Sequence, residues 1–311
     1  MPSSITHAYI AMDVYDNLDK NIQKKLLNKL EDYKTYSQGP DVFYFYHILF
    51  PITKKSRSVM NLGRTIHNHK VNKLFINLTN QVKLTQNTDQ FIFLIGWLTH
   101  YIADSTMHPY INYLSKKLEK KHLSKKDNHF FLETYLDNYY IRKKEKIDYP
   151  KYRVDKFCFN ANPNQEVINL LNKSIENIFK EKEIGYYYFK SLKQMKSFFY
   201  FLRFDPYAIK KKFYELVNIL AKRIFRDVRY LSYNFPLNHD EFLNLNHQKW
   251  YYLENKEITS TKSIIDLYEE VVNKTSLKIK DLYDYIYNNK KIDLESLFEN
   301  KSYGTGLTLN E

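Results

Sequence analysis

The chain has 311 residues, 43% of them hydrophobic, enough to bury the core of one large domain or two small ones. Six glycines and eight prolines are too few for a sheet protein built on tight turns, and the single cysteine, Cys158, excludes an internal disulfide and any cysteine-based zinc site. The formal net charge of +13 suits an anionic partner, but the lysines run along the whole chain beside abundant Asn, Ile and Tyr, so much of that charge is compositional.

No basic segment followed by an apolar run occurs at Met1–His7, so no signal peptide is expected, and no apolar stretch is long enough to span a membrane. A soluble, cytoplasmic protein is the expectation. A helix is predicted over 6–19, with Ile5, Tyr9, Met12 and Leu18 near one face and His7 in the first turn. A second, over 20–33, is amphipathic through Ile22, Leu26, Leu27 and Leu30. Ser37-Gln38-Gly39-Pro40-Asp41 is a turn signal, and taken alone Asp41 reads as a cap for the aromatic run 42–50. Residues 51–63 are polar, and Pro51 and Gly63 mark them as a loop. The next helix is expected from about Arg64. It carries His67 and His69, whose i, i+2 spacing lets at most one join a common site. That segment continues through Leu74, Ile76 and Leu78 to a linker at 84–88.

The helix predicted over 89–107 organises the rest. Phe91, Phe93, Leu94, Ile95, Trp97 and Leu98 make it apolar enough to be buried. Yet His100, Asp104 and His108 follow at i, i+4 and i+8 and share one face. His108 is expected at the helix end, because the residue before a proline tends to leave the helical region. Buried imidazoles and carboxylates need partners, which either core hydrogen bonds or a metal ion can supply. A helix over 128–142 repeats the pattern with His129, Glu133 and Asp137 on one stripe, which points to a metal site between the two helices. With a single cysteine, the ligands are expected to be His, Asp and Glu. Zn²⁺ suits them, and Mn²⁺ or Fe²⁺ accept the same donors. His122, in the lysine-rich stretch 116–126, is expected to be solvated.

Residues 142–165 read as a connector. Amphipathic helices follow at 165–181, 186–202, 206–231 and 260–289, and Tyr186–Tyr188 and Phe198–Phe201 are expected in the core rather than as a base-stacking platform. A polar segment, 238–250, holds His239 and His247. The tail around Ser302–Gly306 is expected to be an irregular end.

In this order the residues resemble the zinc-dependent phospholipase C family, which includes the N-terminal domain of the GPI-specific phospholipase D and is related to the S1/P1 nucleases. The matching positions are His7, Gly39-Pro40-Asp41, Gly63-x-x-x-His67, Gly96-Trp97-Leu98-Thr99-His100-x-x-x-Asp104-x-x-x-His108-Pro109 and His129-x-x-x-Glu133 with Asp137. They cover roughly residues 1–140. Leu243-Asn244-x-x-His247-x-x-Trp250 and Ser302-Tyr303-x-Thr305-Gly306 look similar to segments of bacterial members. The resemblance implies an all-α multi-helix bundle of the phospholipase C and P1 nuclease type holding two or three zinc ions. Residues 1–145 would form the metal-binding domain and 146–311 a helical extension packed on it. His67, His100 and Asp104 would hold one zinc, and Asp104 would bridge to a second completed by His7. His108, His129 and Glu133 would hold another, and Asp41 matches the acid that acts as general base or orients the attacking water. Two departures stand out. In the secreted toxins the third histidine follows the aspartate by six residues, whereas His108 follows Asp104 by four. Secreted members also ligate metal through the mature N-terminus, so the site holding His7 is expected to be weaker or differently filled.

The activity expected from the resemblance is metal-dependent hydrolysis of a phospholipid or other phosphodiester, with a peripheral contact to a membrane surface and no transmembrane segment. A nuclease or nucleotide phosphoesterase using the same metals is the alternative, drawn from the charge and from 29 tyrosines and 21 phenylalanines. A non-catalytic helical metal protein is a third reading. His239-Asp240, the only His-Asp dipeptide, follows Pro236 in a polar loop and offers little to an HD-type phosphohydrolase. The C-terminal half is expected to buttress the bundle or shape a groove lined by His247 and Trp250.

Overall fold

The computed structural model describes residues 4–48, 53–119, 125–221, 231–234 and 240–310. Pro51, His122, His239 and the predicted helix beyond residue 221 lie outside that description. The fold is all-α. In chain order the helices are α1 (Ser4–Asp16), α2 (Lys20–Leu26), α3 (Leu30–Tyr36), a 3₁₀ turn (Gly39–Phe45), α4 (Lys54–Asn68), α5 (Val71–Thr85), α6 (Thr88–Glu119), α7 (Lys125–Glu145), α8 (Val154–Phe157), α9 (Gln165–Phe179), α10 (Ile184–Phe198), α11 (Ile209–Ala221), α12 (Ile264–Tyr287) and α13 (Leu294–Phe298). One two-stranded ribbon pairs Trp250–Tyr251 with Thr259–Ser260.

Helix α6 is the spine. It is apolar on every side between Phe91 and Leu98, as a helix surrounded by others must be, and those side chains are fully buried. Helices α1, α3, α5, α7, α9 and α12 pack around it. Burying each large aliphatic or aromatic side chain contributes roughly 1.5–3 kcal/mol, so this stretch anchors the fold. The C-terminal α12 lies along α1 and α6 and starts from a capping box in which Ser263 and Asp266 satisfy each other's backbone amides.

Three boundaries differ from the expectation. The polar stretch before Arg64 is helical from Lys54, because Thr53 caps it by accepting from the Ser56 amide. Gly63 sits inside that helix as a point of close approach: a Cβ there would lie 3.1 Å from Phe43 Cβ and 3.2 Å from the Pro40 carbonyl. The chain breaks later, at Lys70, whose φ of 56° is left-handed. Helix α6 also continues past Pro109 to Glu119, so His108 is not at a helix end. Proline there removes one amide and leaves the Ser105 carbonyl without its helical donor. Tyr188, Phe198 and Phe199 are core residues as expected, whereas Tyr186, Tyr200 and Phe201 are exposed.

Candidate metal centre

Five elements converge on one buried polar cluster. Helix α1 brings His7, the 3₁₀ turn brings Asp41, α4 brings His67, α6 brings His100, Asp104 and His108, and α7 brings His129 and Glu133. Two groups have potential ligand atoms within 4.8 Å of one another: Asp41, His67, His100 and Asp104, and separately His108, His129 and Glu133. In the first, His67 Nε2 lies 3.1 Å from Asp41 Oδ1, and His100 Nε2 lies 3.2 Å from Asp104 Oδ2 and 3.7 Å from Asp41 Oδ2. In the second, Glu133 Oε1 lies 3.2 Å from His108 Nε2 and 2.9 Å from His129 Nε2. Asp104 joins the groups: its Oδ1 is 3.2 Å from His7 Nε2, and its Oδ2 is 3.6 Å from His108 Nδ1.

The backbone decides which way three of these rings face. The Nδ1 of His67 lies 2.6 Å from the Gly63 carbonyl, that of His100 lies 3.1 Å from the Ser37 carbonyl, and that of His108 lies 3.1 Å from the Tyr303 carbonyl. A carbonyl only accepts, so each Nδ1 donates and each neutral ring turns the lone pair of Nε2 inward. Those lone pairs face carboxylate oxygens, which also only accept. Two acceptors in contact need a cation between them, either a proton or a metal ion. Among the described residues, His100 Nε2, Asp104 Oδ2 and His7 Nδ1 are buried without a hydrogen-bond partner. Orphaned atoms of this kind, with three of the imidazoles fixed through their far nitrogens, are what a metal site provides. The residues therefore fit a metal.

The electrostatics agree. Burial opposes ionisation of Asp104, yet His100 and His108 outweigh it and hold the carboxyl well below the usual range. Burial alone would also raise Glu133, but the nearby positive charge, including His129, and hydrogen bonds from both histidines hold it low. Burial lowers His100. For His108, Asp104 and Glu133 overcome burial and push the imidazole up to about 9, so without metal a proton occupies the position between acceptors.

Supporting residues set the angles. Asp137 accepts from both the amide and the hydroxyl of Thr6 at 2.9 Å, which ties the start of α1, and with it His7, to α7. Gly39 has a φ of +54°, and a Cβ on it would lie only 2.4 Å from His100 Cδ2. This glycine lets the 3₁₀ turn pass directly over the His100 ring.

All eight expected site residues, His7, Asp41, His67, His100, Asp104, His108, His129 and Glu133, lie in this cluster. His67 rather than His69 faces it, and His69 is exposed beyond the end of α4. Asp41 is not a helix cap: it lies inside the 3₁₀ turn with its carboxylate against His67 and His100. The two groove-lining candidates lie outside the cluster. Trp250 is buried against Tyr110, and its indole donates to the Lys262 carbonyl. His247 is exposed and paired with Asp266. Tyr303, singled out in sequence only as part of a segment resembling bacterial members, has its carbonyl against His108 and its ring against His67.

No described helix is long and apolar enough to cross a membrane. A family model described as zinc dependent phospholipase C matches residues 6–185, more than half of the chain and the whole span that supplies both groups. No curated protein and no solved structure matches. The chain belongs to the zinc-dependent phospholipase C family.

Proposed function

We propose that the protein is a metal-dependent hydrolase of phosphodiesters, with a phospholipid as its substrate class. The observation that carries this reading is the set of imidazole nitrogens and carboxylate oxygens facing each other in a buried site, with His100 Nε2 and Asp104 Oδ2 left without a hydrogen-bond partner. His67, His100 and Asp104 would hold one zinc ion, His108, His129 and Glu133 another, and Asp104 with His7 would contribute to a third. Zinc bound there would supply Lewis acidity, lowering the pKa of a water to about 7 and offsetting charge on the phosphoryl oxygens. The chain's own residues do the rest. Asp41, whose carboxylate lies against His67 and His100, would accept the proton of the attacking water. Buried α6 and α7 keep the ligands rigid, and bulk water is excluded around His100 and Asp104.

One surface feature favours a lipid. Ile209, Phe213, Leu216, Ile219 and Leu220 form a stripe on α11, each more than half exposed, beside Lys210, Lys211 and Lys212. An apolar stripe with adjacent cations suits an anionic lipid surface.

The test is zinc per chain in protein purified without chelators, beside Asp104→Asn, followed by hydrolysis of phosphatidylcholine vesicles, a soluble chromogenic phosphodiester and single-stranded DNA. The reading predicts two or three zinc ions, fewer in the variant, and zinc-dependent cleavage of the lipid. Absence of zinc after reconstitution refutes the metal centre. Cleavage confined to DNA replaces the lipid with a nucleic acid.

A further inference from the structure

The segment 299–309 lies far beyond the span matched by the family model, yet it touches both metal groups. It is a tight clasp. Asn300 and Leu309 exchange hydrogen bonds, Lys301 bridges to Thr308, and Ser302 donates to and accepts from residues of the same turn, Leu307 and Gly306. Its base is held by Glu299, which pairs with Lys274, Lys278 and Lys301, and by Tyr101, whose hydroxyl donates to the Phe298 carbonyl and accepts from the Lys301 amide.

The tip of the clasp joins α4 to α6. The Tyr303 amide donates to the carbonyl of His67 at 3.1 Å, and the Tyr303 carbonyl accepts from His108 Nδ1 at 3.1 Å. Its ring is fully buried, 4.8 Å from the His67 ring and 5.8 Å from that of His100, and Trp97 donates to its hydroxyl at 3.2 Å. Asn112 donates to the Gly304 carbonyl at 2.7 Å. Gly306, with a φ of +66°, lies against the Ser105 carbonyl that Pro109 leaves without a helical donor. A Cβ there would be 2.4 Å from that oxygen and 3.0 Å from Pro109 Cγ.

We infer that this clasp is an outer part of the metal centre and that Tyr303 is its positioning residue, orienting His108 through a backbone carbonyl and fixing the spacing of the two groups. The inference rests on the metal reading above. It also accounts for the short Asp104–His108 spacing. At four residues His108 stays within α6, and its Nδ1 comes within reach of a carbonyl that no part of α6 supplies. Outer-shell partners of this kind commonly change metal affinity 10–100-fold when removed.

The experiment uses the full chain with Gly306→Val, which drives a branched side chain into the Ser105 carbonyl, and Gly304→Ala, whose added Cβ meets nothing within 4 Å. Zinc stoichiometry and affinity are measured by competition with a chelator. The Nδ1 proton of His108 is followed by NMR in metal-free protein, assigned through His108→Gln. Expected for Gly306→Val, with far-UV CD unchanged, are loss of one zinc per chain or a 10–100-fold weaker last zinc, and loss of the slowly exchanging His108 proton. Gly304→Ala should retain both. A folded Gly306→Val protein that keeps the zinc and the proton overturns the inference. If Gly306→Val does not fold, Asn112→Ala removes a single anchor and is judged by the same two readouts. A wild-type protein that binds no zinc defeats the metal reading, and the proton signal then still decides whether the clasp orients His108.

Discussion

Gly39→Ala is the sharpest single perturbation of the first metal group. The added Cβ would sit 2.4 Å from Cδ2 and 2.5 Å from Cγ of His100, roughly 1 Å short of the 3.5–4.0 Å at which carbon atoms pack. His100 is fully buried, so its ring has nowhere to swing and must slide within the site. A left-handed alanine costs about 1–2 kcal/mol. Forcing a methyl into packed surroundings costs a further ~1–3 kcal/mol. At roughly 2 °C per kcal/mol in a chain of this size, melting should fall by about 4–10 °C. The effect on zinc is larger in proportion. Ligand distances tolerate only about 0.2 Å, so a shift near 1 Å should weaken the first zinc at least about 10–100-fold. Chelator competition and thermal melts on the same samples measure both effects. Gly185→Ala is the control: its Cβ meets Ile168 Cα and carbonyl at 2.6 Å, a comparable clash between α9 and α10, neither of which carries a candidate ligand. It should lower melting and leave zinc affinity alone. A Gly39→Ala protein that binds zinc as tightly as wild type would refute the argument.

Two further predictions concern regions outside the metal groups. Glu299 is surrounded by Lys278, Lys301 and Lys274, which overcome its partial burial and lower its pKa from 4.5 to about 2. A depressed carboxyl stabilises the fold above its unfolded pKa, and that contribution is lost as pH falls from about 4.5 towards 2. Glu299→Gln should therefore cost about 1–2 kcal/mol at pH 7, after allowance for solvent screening, and nothing by pH 2, as read from urea midpoints across that range. A pH-independent difference would show that the lysines do not hold the charge. Cys158 is fully buried with its thiol pushed up by that burial, so it should resist disulfide reagents in the native protein and react only as the chain unfolds. Rapid native labelling would contradict that burial.

Much of the centre was legible because helical ligands declare themselves by spacing. His100, Asp104 and His108, and likewise His129 and Glu133, recur at four-residue intervals within runs whose apolar neighbours announce burial. Residues joining the site from elsewhere were less visible. Asp41 looked like a cap because the turn before it has the composition of a helix start, and only tertiary packing aims its carboxylate at His67. The 51–63 stretch looked like a loop because it is polar, but a Thr53 cap starts a helix with one buried face there. Pro109 suggested an end to α6, which local bias favours, and the surrounding core overrides it. Periodicity could not single out Tyr303, because it lies in an irregular tail and reaches His108 through its backbone carbonyl.

The three carbonyls that aim the imidazoles lie at very different distances along the chain. Gly63 is one turn from His67, Ser37 is 63 residues before His100, and Tyr303 is 195 residues after His108. Closing the longest of these loops costs roughly 1 kcal/mol more than closing the 63-residue one. During synthesis, Ser37 and Gly63 are already in place when His100 emerges. The ring of His108 must wait for nearly two hundred further residues before its orienting partner exists. The carbonyl that orients His108 is thus the last of the three to be made, whereas those of Ser37 and Gly63 precede the imidazoles they hold.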